Sequence, residues 1–249
     1  MDGADGLVTI SMHKKVEDTT SKNKIYKAVQ QTQTFLLVKH SIDTPAQAKA
    51  GAGAKTDIVV ALPMNEDGSS DGTTRQKVCA YLPLRSYGFR FALHADWIVP
   101  SSREEVVKGN AWNEWLRGEV PSAFMEAVRI AKTRDAMRST FYHFIPREDE
   151  LSGFFRSTAS SILQGLRESK SILTSSGTFA RPAQTVQASA EIQSIIPENV
   201  LNEILGLKYA SLEISGPNGI LEELGVRPFS SRDLVEILVA IRREGSTVT

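Results

Sequence analysis

A chain of 249 residues with 41% hydrophobic and 23% charged side chains is large and apolar enough to bury one or two cores, which excludes global disorder. Its 29 Lys and Arg are matched by 29 Asp and Glu, so it lacks the basic surplus that non-specific nucleic-acid binding requires. A single cysteine, Cys79, rules out an internal disulfide framework, and no apolar run approaches the ~18 residues of a membrane-spanning helix. The opening MDGADGLVTI has neither the basic end nor the apolar centre of a signal peptide, so the expected location is the cytoplasm or the nucleus, with no membrane partner.

The first hundred residues read as strands. A short strand is expected at 7–10, followed by longer ones at 33–42 (QTFLLVKHSI), 56–63 (TDIVVALP), 77–84 (KVCAYLPL) and 89–99 (FRFALHADWIV). In the last of these Phe89, Phe91 and Leu93 alternate with Arg90, Ala92 and His94. The intervening 44–55 is small and flexible, 65–74 is polar and turn-forming, and Ser86-Tyr87-Gly88 is a tight turn. These spacings suit hairpins, hence a mainly antiparallel sheet. Cys79 falls within an apolar run and is expected to be a small buried hydrophobe rather than a reactive thiol.

After Val99 the period lengthens. Ser101 with Glu104 three residues on predicts a helix start by a capping box. Pro121 predicts the first position of another helix over 122–132. The stripe Leu151, Phe154, Phe155, Ala159, Ile162, Leu163 and Leu166 predicts a helix over 151–167. A short hairpin around Ser176-Gly177 is expected within 171–186. Further helices are expected at 197–205, closed by Gly206, at 218–224, closed by Gly225, and from Ser230 with Asp233 to about Arg243. The fold class is therefore α+β: an N-terminal antiparallel sheet, then helices. The expected division is an αβ segment over 1–186 and a small helical unit over 187–249.

Catalytic signatures are missing. His13, His40, His94 and His143 are scattered without metal-ligand spacing, and with one cysteine a zinc site is not expected. There is no G-x-S-x-G, P-loop or G-x-G-x-x-G. The glycines of Asp2-Gly-Ala-Asp-Gly6 have no strand before them and are not expected to form a nucleotide loop. Arg103, at the junction ADWIVPSSREEV, reads either as a solvated first-turn arginine or as a planar guanidinium held out to a phosphate. Trp112 and Trp115 sit three apart, and read either as packing groups or as a partner-binding pair.

Several blocks in order carry a resemblance: YLPLRSYGFRF at 81–91, LHADW at 93–97, SSRE at 101–104 and AWNEWLR at 111–117. FLLVK at 35–39, FIP at 144–146, GFF at 153–155, RPAQ at 181–184, 196–207 and 224–227 extend it. Together they resemble the sacsin and NO VEIN type of protein in the histidine-kinase-like ATPase superfamily, which is itself similar to the ninety-kilodalton heat-shock chaperones. In that group an ATP-binding domain carries an Asn-bearing helix and an Asp-x-Gly-x-Gly loop. The following αβ segment supplies an arginine to the terminal phosphate. The resemblance implies that Arg103, with Ser102, takes that part, with Ser101 and Glu104 supporting the corner and Arg85 and Arg90 as secondary candidates. This chain shows neither upstream motif. The resemblance thus implies a segment of a chaperone-like protein that meets ATP and magnesium only together with an upstream ATP-binding segment, and no cofactor or ATPase activity for the chain alone. The alternative is a non-catalytic protein–protein interaction module, with a partner near Trp112 and Trp115.

Overall fold

The computed structural model describes residues 6–18, 25–45 and 53–245. The Asp2 to Asp5 part of the glycine-containing start and the centre of the small connection expected over 44–55 lie outside these residues.

Six strands form the main sheet: β1 (Gly6–Asp18), β2 (Ile25–Asp43), β3 (Lys55–Met64), β4 (Val78–Ala80), β5 (Leu82–Pro83) and β6 (Ala92–His94). Their order is β1-β2-β3-β6-β4-β5, and every pairing is antiparallel except β4 with β6. The period-2 pattern decides which face is dry. Leu36 and Val38 on β2, Ile58, Val60 and Leu62 on β3, and Leu93 on β6 are buried, while Leu37, Val59, Ala61, Ala92 and His94 alternating with them are less so. Two expected strands are shorter than their apolar runs. The run 77–84 breaks at Tyr81, whose φ of 61° is left-handed, so β4 folds back on β5. In 89–99 only Ala92–His94 pairs; Phe89, Phe91 and Trp97 instead point into an aromatic cluster with Tyr87, Phe124, Phe154 and Phe155.

Helix α1 (Ala111–Ala131) lies against β2 and β3, and α2 (Thr158–Glu168) packs on α1. Two sequence expectations need correction here. No helix starts at Ser101: residues 101–110 are turns, Arg103 has a left-handed φ of 53°, and no helix passes through that conformation. The cap is Asn110, whose side chain accepts from the N–H groups of Trp112 and Asn113 at 3.1 and 3.2 Å. Nor does Pro121 open a new helix. It sits inside α1, where burial of Leu116, Val120, Phe124 and Ala127 holds the helix across the missing donor. The stripe expected over 151–167 is buried as read, although its first part is a 3-10 turn at Gly153–Phe155.

Strands β7 (Ile172–Leu173) and β8 (Phe179–Ala180) form the expected hairpin, with Gly177 at positive φ in its turn. Beyond it lie β9 (Thr185–Gln187), α3 (Ala190–Ile195), α4 (Glu198–Leu205), β10 (Lys208–Tyr209), α5 (Ile220–Glu223), β11 (Arg227–Pro228) and α6 (Ser231–Gly245). Helices α4, α5 and α6 are those read from the sequence, with Gly206 closing α4 in the left-handed conformation, whereas α3 falls in a polar stretch where no helix was expected. Among them runs a small parallel sheet, order β10-β9-β11. A second, smaller core gathers Val186, Ala188, Ile196, Leu201, Tyr209 and Ile237.

Candidate functional site

The connection from β6 to α1 is a loop whose two ends are fastened together. Its clamp is Asn113, fully buried in the first turn of α1. The Asn113 amide accepts the Ile98 N–H at 2.8 Å and donates to the carbonyls of Ile98 (2.8 Å) and Val107 (2.9 Å). The Val107 N–H adds a bond to the Ile98 carbonyl at 3.1 Å. One side chain thus bonds three main-chain groups beneath the loop, sharing the Ile98 carbonyl with the Val107 N–H.

Further ties hold the loop to the sheet. The Val106 N–H donates to the Tyr87 hydroxyl at 2.9 Å, and burial raises that phenol above its ordinary range, so it stays neutral and able to accept. The Trp112 indole N–H donates to the Asp96 carbonyl at 2.7 Å. Glu114 accepts from the Gly109 N–H and pairs with Arg117, which donates to the Phe154 carbonyl.

At the tip, the Arg103 N–H closes a turn on the Pro100 carbonyl at 2.9 Å. Ser101, Ser102, Arg103 and Glu104 are all exposed. Among the described residues Arg103 has no carboxylate within ion-pair distance. Glu105 is instead taken by Arg85 at 3.8 Å, and Arg85 also lies over the Tyr87 ring. Arg90 is paired with Glu150 in a half-buried position. The two secondary candidates therefore have carboxylate partners, while Arg103 and Ser102 stand in solvent above a hydrogen-bonded loop base.

Trp112 and Trp115 do meet, with ring centroids 5.0 Å apart, but their situations differ. Trp112 is only 2% exposed and belongs to the core, whereas Trp115 is half-buried at its edge. Trp112 also walls a cleft of about 390 Å³ shared with Tyr81, His94, Asp96, Asp57 and Lys55. Tyr81 stands 80% exposed over it, edge-on to the His94 ring at 5.5 Å. His94 in turn contacts the Cys79 carbonyl through Nδ1 at 3.2 Å. Cys79 is half-buried, and that burial raises its thiol pKa, as suits a packing group.

Sequence reading missed Asn113 and Tyr81. The signal for Asn113 was an amide at a position of the buried stripe that continues through Leu116 and Val120. Tyr81 carried none, because a left-handed tyrosine has no sequence mark. Among the described residues no group of three or more His, Cys, Asp or Glu could hold a metal ion, and no helix is long and apolar enough to cross a membrane.

An α+β chain that presents an arginine loop from a clamped sheet-to-helix junction is thus the class defined by fold and site. Among curated proteins the chain is similar to Protein NO VEIN of Arabidopsis thaliana, at 29% identity over 191 residues. The matched stretch is 72% of this chain but only 7% of the relative, so the chain is NO VEIN-like over a small part of that protein's length. No known family's sequence profile matches the chain, and no solved structure matches it.

Proposed function

We propose that this chain is a segment of an ATP-dependent, chaperone-like protein of the sacsin and NO VEIN type, within the histidine-kinase-like ATPase superfamily. In this reading Arg103, with Ser102 beside it, meets the terminal phosphate of magnesium-ATP held by a separate upstream ATP-binding segment in the cytoplasm or nucleus. The observation that carries it is the contrast between a fixed loop base and an uncommitted guanidinium at the tip. An arginine with no resident carboxylate gives up no ion pair when it meets phosphate, and a preorganised donor needs little reorganisation as charge develops. The planar fork suits bidentate contact with phosphoryl oxygens. Magnesium and the upstream segment would supply the remaining charge neutralisation and the pocket, so the chain alone turns nothing over.

The test is calorimetric and kinetic. Magnesium-ATP titrated into the purified chain should give no binding heat. Adding a separately expressed ATP-binding segment should restore hydrolysis, and Arg103→Ala should lower that rate by roughly 10²–10³-fold, the scale of one lost transition-state donor. Saturable ATP binding by the chain alone, or wild-type turnover in Arg103→Ala, would overturn the reading.

A second reading, a non-catalytic protein–protein interaction module, is favoured by Tyr81 and Leu82, which are 80% and 57% exposed beside the cleft that Trp112 walls. If it holds, Tyr81→Ala abolishes partner binding while Arg103→Ala leaves it intact.

A further inference from the structure

The ring of Phe179 on β8 faces two cations. The Lys132 ammonium stands 4.5 Å from its centroid and the Arg138 guanidinium 5.7 Å. Lys132 caps the end of α1, and Arg138 lies in the turns that follow. Lys170 comes just after α2, and its carbonyl accepts from the Lys132 ammonium at 2.6 Å, which brings a third basic residue to the same corner. Among the described residues none of the three has a carboxylate within ion-pair distance. Asp135 and Glu168, the nearest acids in sequence, pair with none of them. Burial, and after it the Lys170 charge, lower the Lys132 pKa, as befits a cation whose neighbour repels rather than compensates it.

The fold uses only part of their donor capacity. Lys132 spends one of its three N–H groups on the Lys170 carbonyl. Arg138 gives one Nη to the Gly177 carbonyl, while its Nε is buried without a partner. Lys170 is exposed, and its ammonium bonds no described residue.

We propose that Lys132, Arg138 and Lys170 form a binding site for the phosphate monoester of a soluble ligand. Such a group offers three acceptor oxygens in a tetrahedral arrangement and a charge of about −1.5 to −2, so it can meet two ammonium groups and a guanidinium from different directions. A carboxylate offers two coplanar oxygens that suit an arginine fork, and here that fork is already turned to the Gly177 carbonyl. Nucleic acid fits less well. Phe179 is half-buried and engaged by cations rather than open for base stacking, and the chain has no net positive charge. A membrane surface also fits less well, because the neighbouring hairpin tip, Ser175 to Thr178, is exposed but has no apolar side chain to insert.

Nuclear magnetic resonance titration of the purified full chain reads the site directly. Inorganic phosphate should give saturable shifts around Lys132 and 170–179, with a Kd on the order of 1 mM for so open a site. Lys132→Gln and Lys170→Gln should each weaken it at least about fivefold, the loss of one charge-assisted contact. Lys170 is exposed, so its variant folds even where Lys132→Gln does not. A phosphoserine peptide with uncharged flanks is the second probe. Tighter binding than inorganic phosphate would place the monoester on a partner chain, and equal binding would place it on a small solute; either upholds the site. No saturable shift up to ~20 mM, binding indifferent to both variants, acetate binding as tightly as phosphate, or binding only to vesicles of anionic phospholipid would overturn the proposal. ATP hydrolysis with the upstream segment should be unchanged in Lys170→Gln, so that assay tests Arg103 and this titration tests the cluster.

Discussion

The Asn113 side chain forms two hydrogen bonds with Ile98, one accepting its N–H and one donating to its carbonyl, both at 2.8 Å. A side-chain amide here does the work of a paired strand. Removing it leaves the Ile98 N–H and the Val107 carbonyl short of a partner, while the Ile98 carbonyl keeps the Val107 N–H. Asn113→Ala should therefore cost about 3–4 kcal/mol, since each buried group left unpaired costs about 1–3 kcal/mol and some will find water. Urea unfolding measures this; a loss below about 1 kcal/mol would mean the loop base is not held by this residue.

Arg103 is the opposite case. It is exposed, and its left-handed φ is no easier for alanine than for arginine. Arg103→Ala should shift unfolding free energy by less than about 0.5 kcal/mol. Arg103→Gly should be neutral or stabilising by up to ~1 kcal/mol, because glycine adopts this backbone without penalty. The pair of variants separates a functional loss at Arg103 from an unfolding artefact, which thermal melts of both would expose.

Acid should act on the second core through Asp233. Its carboxylate accepts both Arg227 Nη groups at 2.6 Å and both the N–H and hydroxyl of Ser230 at 2.7 Å. The Arg227 bonds foremost, against the opposing cost of burial, hold the carboxyl well below the usual carboxylate range. A group whose folded pKa is depressed stabilises the fold above its unfolded pKa of about 4 and loses that contribution as pH falls through the folded value. Because Arg227 is half exposed, solvent screens part of the attraction. Asp233→Asn should cost about 2 kcal/mol at pH 7, and the gap to the wild type should narrow steadily below pH ~4. A gap that is constant with pH would contradict this account.

At Gly88 the chain tolerates no side chain. Its φ is 110°, and a Cβ there would overlap the Glu150 carbonyl oxygen, where the Ser152 N–H bonds the Tyr87 carbonyl at 2.9 Å. The obstacle is backbone, which cannot rotate away. Gly88→Ala should destabilise by more than about 4 kcal/mol, and recovery of soluble, folded protein at 37 °C measures it.

How much of this was legible depends on range. The alternation at Ile58, Val60 and Leu62 and at Phe89, Phe91 and Leu93 marked the buried face, because strand period and burial are local facts. Gly206 closing α4, and Ser230 with Asp233 opening α6, were likewise written in neighbouring residues. The strands β9, β10 and β11 were not, since two or three residues carry no period and their parallel partners lie more than 20 positions away in sequence, Lys208 opposite Thr185 and Arg227 opposite Val186. The capping box at Ser101 and Glu104 was a correct local pattern that tertiary structure overrode: the clamp at Asn113 and the left-handed Arg103 moved the helix start to Asn110. Arg103 was singled out from the order of sequence blocks, but the Asn113 clamp beneath its loop was not.

The position of β6 between β3 and β4 has a consequence for how the sheet holds together. Apart from its short neighbour β5, the strand partner of β4 is β6. The only strand joining β4 and β5 to β3 among the described residues is Ala92–His94, so the sheet's far edge hangs on three residues, and a break there would part Val78 and Ala80 from the rest of the sheet.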